Sequence, residues 1–190
     1  MPDVQTIFVE GELESDSNIY SSTCSLDSFP TKLVLQWIIV DYVCYRICLK
    51  GYKGIALFEK ERGNTVKHRI LDLIMRHLVS RAEELEAKFT PRFRNRNALL
   101  LCTPERALID FTDSLNNIWA GELANWGRFL SYITFTAAYC MSCLDAGMVL
   151  IIQTLVEHAI ENLDAKMGKW ALAHGGWRGF LKALHEVKLN

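Results

Sequence analysis

Residues 126–144 read WGRFLSYITFTAAYCMSCL. This segment is apolar on nearly every side, which is typical of a helix that protein or lipid surrounds completely. Only 16 uncharged residues lie between Arg128 and Asp145, whereas a free-standing transmembrane helix needs about 20. The segment therefore predicts the central core helix of a folded domain, and membrane insertion stays open as a second, conditional state.

The regions on either side of this segment predict further helices. Residues 32–51 form an apolar run that ends at Gly51, and although its β-branched side chains allow a strand, its length favours a helix. Thr103-Pro104 suits an N-cap and first turn, because the threonine hydroxyl can accept a backbone N–H and proline has none to leave unpaired. The chain therefore predicts an all-α globule with turns around Gly175-Gly176 and helices at 32–51, 66–89, 104–119, 126–144 and roughly 148–163.

Residues 1–30 differ from the rest of the chain in polarity and charge. They are rich in Ser, Asp and Glu, contain no Lys or Arg, and predict a flexible acidic tail. Residues 31–190 are then expected to form one helical domain, which is large enough to bury a sizeable core. This domain carries 21 basic against 16 acidic side chains. So small and scattered an excess argues against nucleic-acid binding, which needs a concentrated cationic surface.

The six cysteines and five histidines show no metal-ligand spacing or disulfide framework. Most of the cysteines lie in apolar segments and no signal peptide accompanies them, so a reduced, intracellular protein is expected. Cys140 and Cys143 form a C-x-x-C pair, which also allows redox or metal chemistry, but the chain has no second pair. We predict a packing role for both residues and no metal or other cofactor.

Three segments, in order along the chain, carry a family resemblance. Asn125-Trp126-Gly127-Arg128, which leads into the apolar segment, resembles the first homology motif of the Bcl-2 family of apoptosis regulators. Trp170 and Gly175-Gly176-Trp177 have the W-x-x-x-x-G-G-W spacing of the second motif. Residues 40–52 are similar to the fourth motif, which is typical of pro-survival members. The resemblance covers about residues 40–180 and implies a Bcl-2-like bundle, in which amphipathic helices surround a central apolar helix.

A fourth segment, residues 74–85, resembles the third homology motif, the helix that other family members present to partners as a ligand. The apolar positions of this motif are occupied by Ile74, Leu78, Ala82 and Leu85. Two positions depart from the pattern, because Glu83 stands where Asp is usual and Arg81 where a smaller or apolar residue is common. These departures argue against the use of this helix as an exported death signal.

The resemblance implies a partner helix with four apolar anchors and an Asp, and therefore an apolar trench with one well-placed cation. Arg128 is the candidate cation, because a guanidinium can bind a carboxylate through two parallel N–H bonds. Asn125 is expected to hydrogen-bond the same Asp or the partner backbone. Gly127 is expected to let the partner helix approach where any Cβ would intrude.

The resemblance also implies which residues line the trench. Its walls, floor and end would be formed by Leu85, Phe89 and Phe93 on one side, Leu115 and Ile118 on the other, Leu130 and Phe135 beneath, and Leu184 at one end. Apolar residues at helical spacing are ordinarily core, so a packing role stays open for each. Trp126, Trp170 and Trp177 are expected to shape the trench by packing, while Gly175-Gly176 allows the tight turn that seats the last helix.

These implications predict an anti-apoptotic regulator, not an enzyme, that sequesters the death-motif helix of pro-apoptotic Bcl-2 family partners. The alternative is a pore-forming effector of the same fold that permeabilises the mitochondrial outer membrane, and the apolar segment 129–144 favours it. Many relatives end in an apolar membrane anchor, whereas this chain stops at Asn190 after a charged segment. The expected location is the cytoplasm, or the mitochondrial or endoplasmic reticulum membrane if an anchor was removed.

Overall fold

The computed structural model describes residue 26 and residues 30–52, 70–82, 84–85, 103–119 and 123–186. The regular structure of these residues is helical. Six helices follow one another along the described chain, namely α1 (Thr31–Leu49), α2 (70–82, continuing at 84–85), α3 (Pro104–Ile118), α4 (Trp126–Asp145), α5 (Ile151–Ala173) and α6 (Gly176–Glu186). The predicted all-α fold is therefore confirmed.

Helix α4 lies at the centre of the bundle. It packs against α1, α3, α5 and α6, and 12 of its 20 residues are buried. Because burial extends around so much of its circumference, the uniform apolarity of 126–144 is explained by protein neighbours on most sides. The predicted central helix is confirmed. None of the described helices combines the length and the apolarity that a membrane crossing requires.

Two helix boundaries lie where their capping residues predicted them. Helix α3 begins at Pro104, and the Thr103 hydroxyl accepts the backbone N–H of Arg106 at 3.2 Å. Helix α1 ends at Leu49, and Gly51 follows it with a φ of +81°, in the left-handed region that glycine adopts without steric cost. The strand alternative for residues 32–51 is wrong.

Helix α5 extends ten residues beyond its predicted end at residue 163, so that prediction was wrong. Met167 and Ala171 continue its buried face, and this packing stabilises the helix past Leu163. Gly168 lies where α5 meets the start of α1, since a Cβ at this position would be 3.6 Å from Cγ2 of Thr31. That distance is an ordinary van der Waals contact, and the tighter contact of such a Cβ would be with Oδ1 of Asp164 on the same helix, at 2.8 Å.

Helix α2 turns its apolar face into the bundle. The four apolar residues of its motif are at most 5% exposed, which confirms the predicted amphipathic pattern for the described part of this helix. Residues 66–69, 83 and 86–89 of the predicted helix lie outside the described residues. Leu26, from the predicted tail, is 1% exposed and belongs to the core. The boundary between tail and domain stays a prediction.

Candidate functional site

Asn125 is the N-cap of α4. Its backbone is extended, and its side-chain Oδ1 accepts the backbone N–H of Arg128 at 2.9 Å. This bond satisfies one of the N–H groups that a helix N-terminus leaves without a partner. This capping role was not predicted from the sequence, although Asn is among the preferred N-cap residue types. Its exposed side chain is still compatible with the predicted contact to a partner helix, which stays a prediction.

The side chain of Arg128 connects the start of α4 to the end of α3. Its Nη1 donates a hydrogen bond to the carbonyl oxygen of Ile118, the last residue of α3, and the residue is partly buried. Positive charge is favoured there by the dipole of α3, whose negative end lies at its C-terminus. A guanidinium has five N–H donors, so the bond to Ile118 does not by itself prevent bidentate binding of a carboxylate. The predicted cation is thus fixed at the junction of two helices.

Gly127 lies in the first turn of α4, between the N-cap and the cation. Among the described residues, a Cβ at this position would meet Oδ1 of Asn125 at 3.3 Å and no other atom within 4 Å. The glycine therefore faces away from the core. An approaching helix could come close to the backbone of α4 at this point.

Six of the eight predicted trench residues lie in the described part of the chain, and the remaining two, Phe89 and Phe93, lie outside it. Four of the six are at most 5% exposed and belong to one core cluster, namely Leu85, Leu115, Leu130 and Leu184. Ile118 and Phe135 are partly exposed and pack against the same cluster. All six therefore lie in or against the core of the bundle, Ile118 and Phe135 are the more exposed of them, and their arrangement as a trench and their contact with a partner stay predictions.

Phe135 is held by aromatic neighbours from two helices. Its ring stacks on Phe111 of α3, with centroids 5.9 Å apart, and lies 5.7 Å from the ring of Tyr139. The Tyr139 hydroxyl donates to the carbonyl oxygen of Ala107 at 2.8 Å, and burial raises its pKa. Phe111 was not singled out from the sequence, although it follows Ala107 by one helical turn on the apolar face of α3.

An aromatic cluster joins the start of α4 to the last two helices. The Trp126 ring lies edge-on to Trp170 of α5, with centroids 4.9 Å apart, and 5.4 Å from Phe180 of α6. Phe129 lies 6.2 Å from Trp177 and 4.8 Å from Phe180. The three tryptophans thus pack between helices, and their role in shaping the trench stays a prediction.

The turn between α5 and α6 depends on three glycines. Gly175 and Gly176 have φ values of +92° and +58°, in the left-handed region. Gly179 was not singled out from the sequence, yet a Cβ at this position would lie 2.4 Å from the carbonyl oxygen of His174 and 3.4 Å from Cζ2 of Trp126. This turn therefore seats α6 directly against Trp126.

Comparison with known families agrees with this architecture. A family model described as "Apoptosis regulator proteins, Bcl-2 family" matches residues 75–177, more than half of the chain. The chain belongs to the Bcl-2 family. The matched range of this Bcl-2 family protein begins within α2, includes the Arg128 region and ends at Trp177 in α6.

Two curated relatives are similar to this Bcl-2 family protein over about half of its residues. Apoptosis regulator R1 of Xenopus laevis is 27% identical over 99 residues, which are 52% of this chain and 43% of R1. Anti-apoptotic protein NR13 of Gallus gallus is 29% identical over 101 residues, which are 53% of this chain and 57% of NR13. The chain thus spans about half the length of these relatives.

The fold of this Bcl-2 family protein is also similar to that of a solved relative. The crystal structure of Trichoplax adhaerens trBcl-2L2 bound to trBak BH3 superposes with a TM-score of 0.67 and 24% sequence identity. The match covers 80% of this chain and 97% of that chain. At this level of identity the likeness concerns the fold, and it confirms the predicted Bcl-2-like bundle.

The C-x-x-C pair of this Bcl-2 family protein lies in the core. Cys140 and Cys143 are fully buried in α4, and burial raises the pKa of both thiols, that of Cys143 to about 12. A thiol acts as a nucleophile or metal ligand in its deprotonated form, so these two are unsuited to redox or metal chemistry. Among the residues that the structure describes, no group of three or more His, Cys, Asp or Glu could hold a metal ion. The packing interpretation is favoured.

Proposed function

We propose that this protein is anti-apoptotic and sequesters the amphipathic death-motif (Bcl-2 homology 3) helix of pro-apoptotic partners in a hydrophobic groove. The observation that carries the proposal is the position of Arg128, partly buried and bonded to Ile118, beside a glycine that faces away from the core. The name of NR13 and the peptide bound to the Trichoplax relative support it. The protein acts by binding, with no covalent chemistry.

The partner's Asp would bind at the start of α4 for two electrostatic reasons. The guanidinium of Arg128 supplies a charge-assisted, two-pronged hydrogen bond. The N-terminus of α4 supplies the positive end of a helix dipole, which favours an anion within the first turn. Asn125 would contribute a further hydrogen bond, and Gly127 would leave space for the partner's backbone. The proposed anion site is therefore built from one turn of one helix.

The apolar anchors of the partner would contact the surface beside this turn. Ile118 and Phe135 are the partly exposed members of the described set, and Phe89 and Phe93 are proposed from the sequence alone. Leu85, Leu115, Leu130 and Leu184 would support the trench from within the core. Apolar burial would supply most of the binding free energy, and the Asp would fix the register of the helix.

Isothermal titration with a panel of death-motif peptides tests the proposal. At least one peptide should bind with one-to-one stoichiometry, and the same peptide with its Asp replaced by Ala should bind more weakly. A control peptide with its four anchors replaced by Ala should not bind. If no peptide of the panel binds the folded protein, the proposed function is overturned.

A pore-forming effector is the second candidate, and the apolar character of α4 favours it. Against it stand the fourth-motif resemblance of residues 40–52 and the departures at Arg81 and Glu83, because effectors use the third motif for self-association. A vesicle-release assay separates the two. Protein that empties vesicles of mitochondrial lipid composition supports the effector, and protein that blocks release by an added effector supports the anti-apoptotic role.

The proposed site of action is the cytosolic face of the mitochondrial outer membrane or the endoplasmic reticulum. This location follows from the partners, since pore-forming effectors act on the mitochondrial membrane. Fractionation of cells that express the protein with and without such a partner tests it. A partner-dependent shift into the membrane fraction is expected, and exclusion from that fraction would contradict the assignment.

A further inference from the structure

Arg81 of α2 makes an unusual contact with the end of α6. Its Nε donates to the carbonyl oxygen of Leu184 at 2.9 Å, and its Nη2 donates to the carbonyl oxygen of His185 at 3.2 Å. Its Nη1 lies 3.3 Å from Oε2 of Glu84, one turn further along α2. The arginine side chain is 24% exposed. All three nitrogens of the guanidinium are therefore engaged.

The contact has a clear physical basis. The last carbonyls of an α-helix have no N–H partner within the helix, and the negative end of the helix dipole favours a cation beside them. Arg81 supplies both the donors and the charge from a different helix, while Glu84 holds the guanidinium in place. A lysine would reproduce this contact only in part, because its ammonium donates from a single nitrogen, whereas the guanidinium meets the two carbonyls and Glu84 through three.

A second contact joins the same two helices. His77 lies one turn before Arg81 on α2, and its ring packs on that of His185, with centroids 3.9 Å apart. Together, the Arg81 hydrogen bonds and the His77–His185 ring contact form what we call the α2–α6 clasp. The clasp therefore joins two successive turns of α2 to the last turn of α6.

The clasp connects two residues that are proposed to shape the trench. Leu85 follows Arg81 by one turn on α2, and the carbonyl bonded to Arg81 belongs to Leu184 itself. We propose that Arg81 is a positioning residue, which sets the distance between the α2 wall and the α6 end of the partner-helix groove. This role rests on the proposed function. It would explain why an arginine stands at position 81, where the third motif commonly has a smaller or apolar residue.

Hydrogen exchange of the full chain tests the clasp without any partner. In Arg81→Ala, amide exchange in the last turn of α6 and in α2 around residue 81 should rise at least about tenfold, because two hydrogen bonds from a charged group to the end of α6 are lost. Exchange in α1 and α5 should stay unchanged. Arg76→Ala, which removes an exposed arginine from the same helix, should have no effect. Unchanged exchange at the end of α6 in Arg81→Ala would overturn the clasp.

Partner affinity tests the positioning role. Arg81→Ala and Arg81→Lys should each bind a death-motif peptide about tenfold more weakly, whereas Arg76→Ala should bind as the wild type does. If Arg81 acts through α6, the loss of peptide affinity caused by Arg81→Ala should be smaller in a Leu184→Ala background than in the wild type.

Two results would overturn the positioning role and leave Arg81 a structural residue. In one, the affinity losses of Arg81→Ala and Leu184→Ala are additive; in the other, Arg81→Ala speeds exchange but leaves peptide affinity unchanged. A wild-type chain that binds no peptide would overturn the proposed function and the positioning role together, while hydrogen exchange still decides the clasp.

Discussion

The guanidinium of Arg128 at the start of α4 is hydrogen-bonded to the carbonyl oxygen of Ile118 at the end of α3. This bond fixes a cation and a partly exposed apolar residue relative to each other across the connection between the two helices. A partner's carboxylate and one of its apolar anchors would then meet groups that are already ordered. Such preorganisation lowers the entropy cost of binding.

Arg128→Ala is expected to affect binding far more than folding. Truncation of one member of a partly buried charge pair costs ~2–5 kcal/mol of binding free energy, which is a loss of affinity of about 30-fold or more. Loss of the bond from the charged guanidinium to Ile118 costs about 1.5 kcal/mol of stability, equivalent to a fall in Tm of about 3–6 °C. Titration calorimetry and thermal melts measure the two effects.

Arg128→Lys is the matched control for charge. Lys keeps the net charge but cannot form the two-pronged bond, so its affinity should stay close to that of Arg128→Ala. Wild-type affinity in both variants would contradict the assignment of Arg128 to the groove.

Gly127→Ala is expected to fold normally and to bind less well. The added Cβ meets only the Asn125 side chain among the described residues, at 3.3 Å, and Ala has the higher helix propensity, so the free energy of unfolding should change by less than about 1 kcal/mol. Gly127→Glu adds bulk and a carboxylate that repels the partner's Asp, and should abolish binding. Circular dichroism and titration of both variants check this. If both bind like the wild type, the partner does not approach α4 here.

Asn125→Ala should destabilise the protein through the loss of an N-cap. The missing bond to the backbone N–H of Arg128 costs about 0.5–2 kcal/mol. Asn125→Asp and Asn125→Ser keep a side-chain acceptor, so their free energies of unfolding should stay close to the wild-type value. Urea unfolding measures all three. Equal stability of the Ala and Asp variants would show that the cap contributes nothing.

Local patterns predicted the parts of the fold that depend on local interactions. The apolar segment after Arg128 predicted the central helix, because a helix that is apolar on every side avoids water only when other helices surround it. Thr103 and Gly51 marked helix ends through their own capping chemistry. The end of α5 was placed wrongly, because its continuation past Leu163 depends on packing against other helices.

The contacts of the candidate site were harder to predict, because they join distant parts of the chain. Arg128 was predicted from its motif to be the cation of the groove, but its bond to Ile118 depends on how the α3–α4 connection places the start of α4 beside the end of α3. Arg81 was identified only as a departure from the third motif, and its acceptors lie more than 100 residues further on. Neither partner could be inferred without the tertiary structure.

Gly179→Ala is expected to weaken the packing of α6. A Cβ there would lie 2.4 Å from the carbonyl oxygen of His174, a backbone atom that cannot move aside cheaply. Overpacking of this kind costs about 1–3 kcal/mol, so the urea midpoint should fall. Gly127→Ala, where the added Cβ would meet only a side-chain atom, Oδ1 of Asn125 at 3.3 Å, is the control and should lower the midpoint less. A wild-type midpoint in Gly179→Ala would mean that α6 can shift without cost.

The buried thiols and phenols of α4 should make the protein sensitive to alkali. Burial raises the pKa of Cys140, Cys143, Tyr132 and Tyr139, so the folded chain keeps their protons to higher pH than the unfolded chain does. In the unfolded chain the thiols have a pKa of about 8.5 and the phenols a pKa of about 10. Above these values the unfolded state binds fewer protons, so the free energy of unfolding falls as pH rises. The contribution of these four groups to the free energy of unfolding is fully present below about pH 8. Urea unfolding over an alkaline pH series measures its loss.

Alkylation and a double cysteine variant test whether Cys140 and Cys143 cause this loss of stability in alkali. Cys48 is exposed on α1 and should react with iodoacetamide in the folded protein, whereas Cys140 and Cys143 should react only on unfolding, because both are buried and protonated. The double variant Cys140→Ala/Cys143→Ala should lose less stability than the wild type between about pH 8.5 and 10, where only thiols have begun to titrate in the unfolded chain. Modification of Cys143 in the folded protein at the rate of Cys48 would contradict its burial and, with it, the packing role of the C-x-x-C pair.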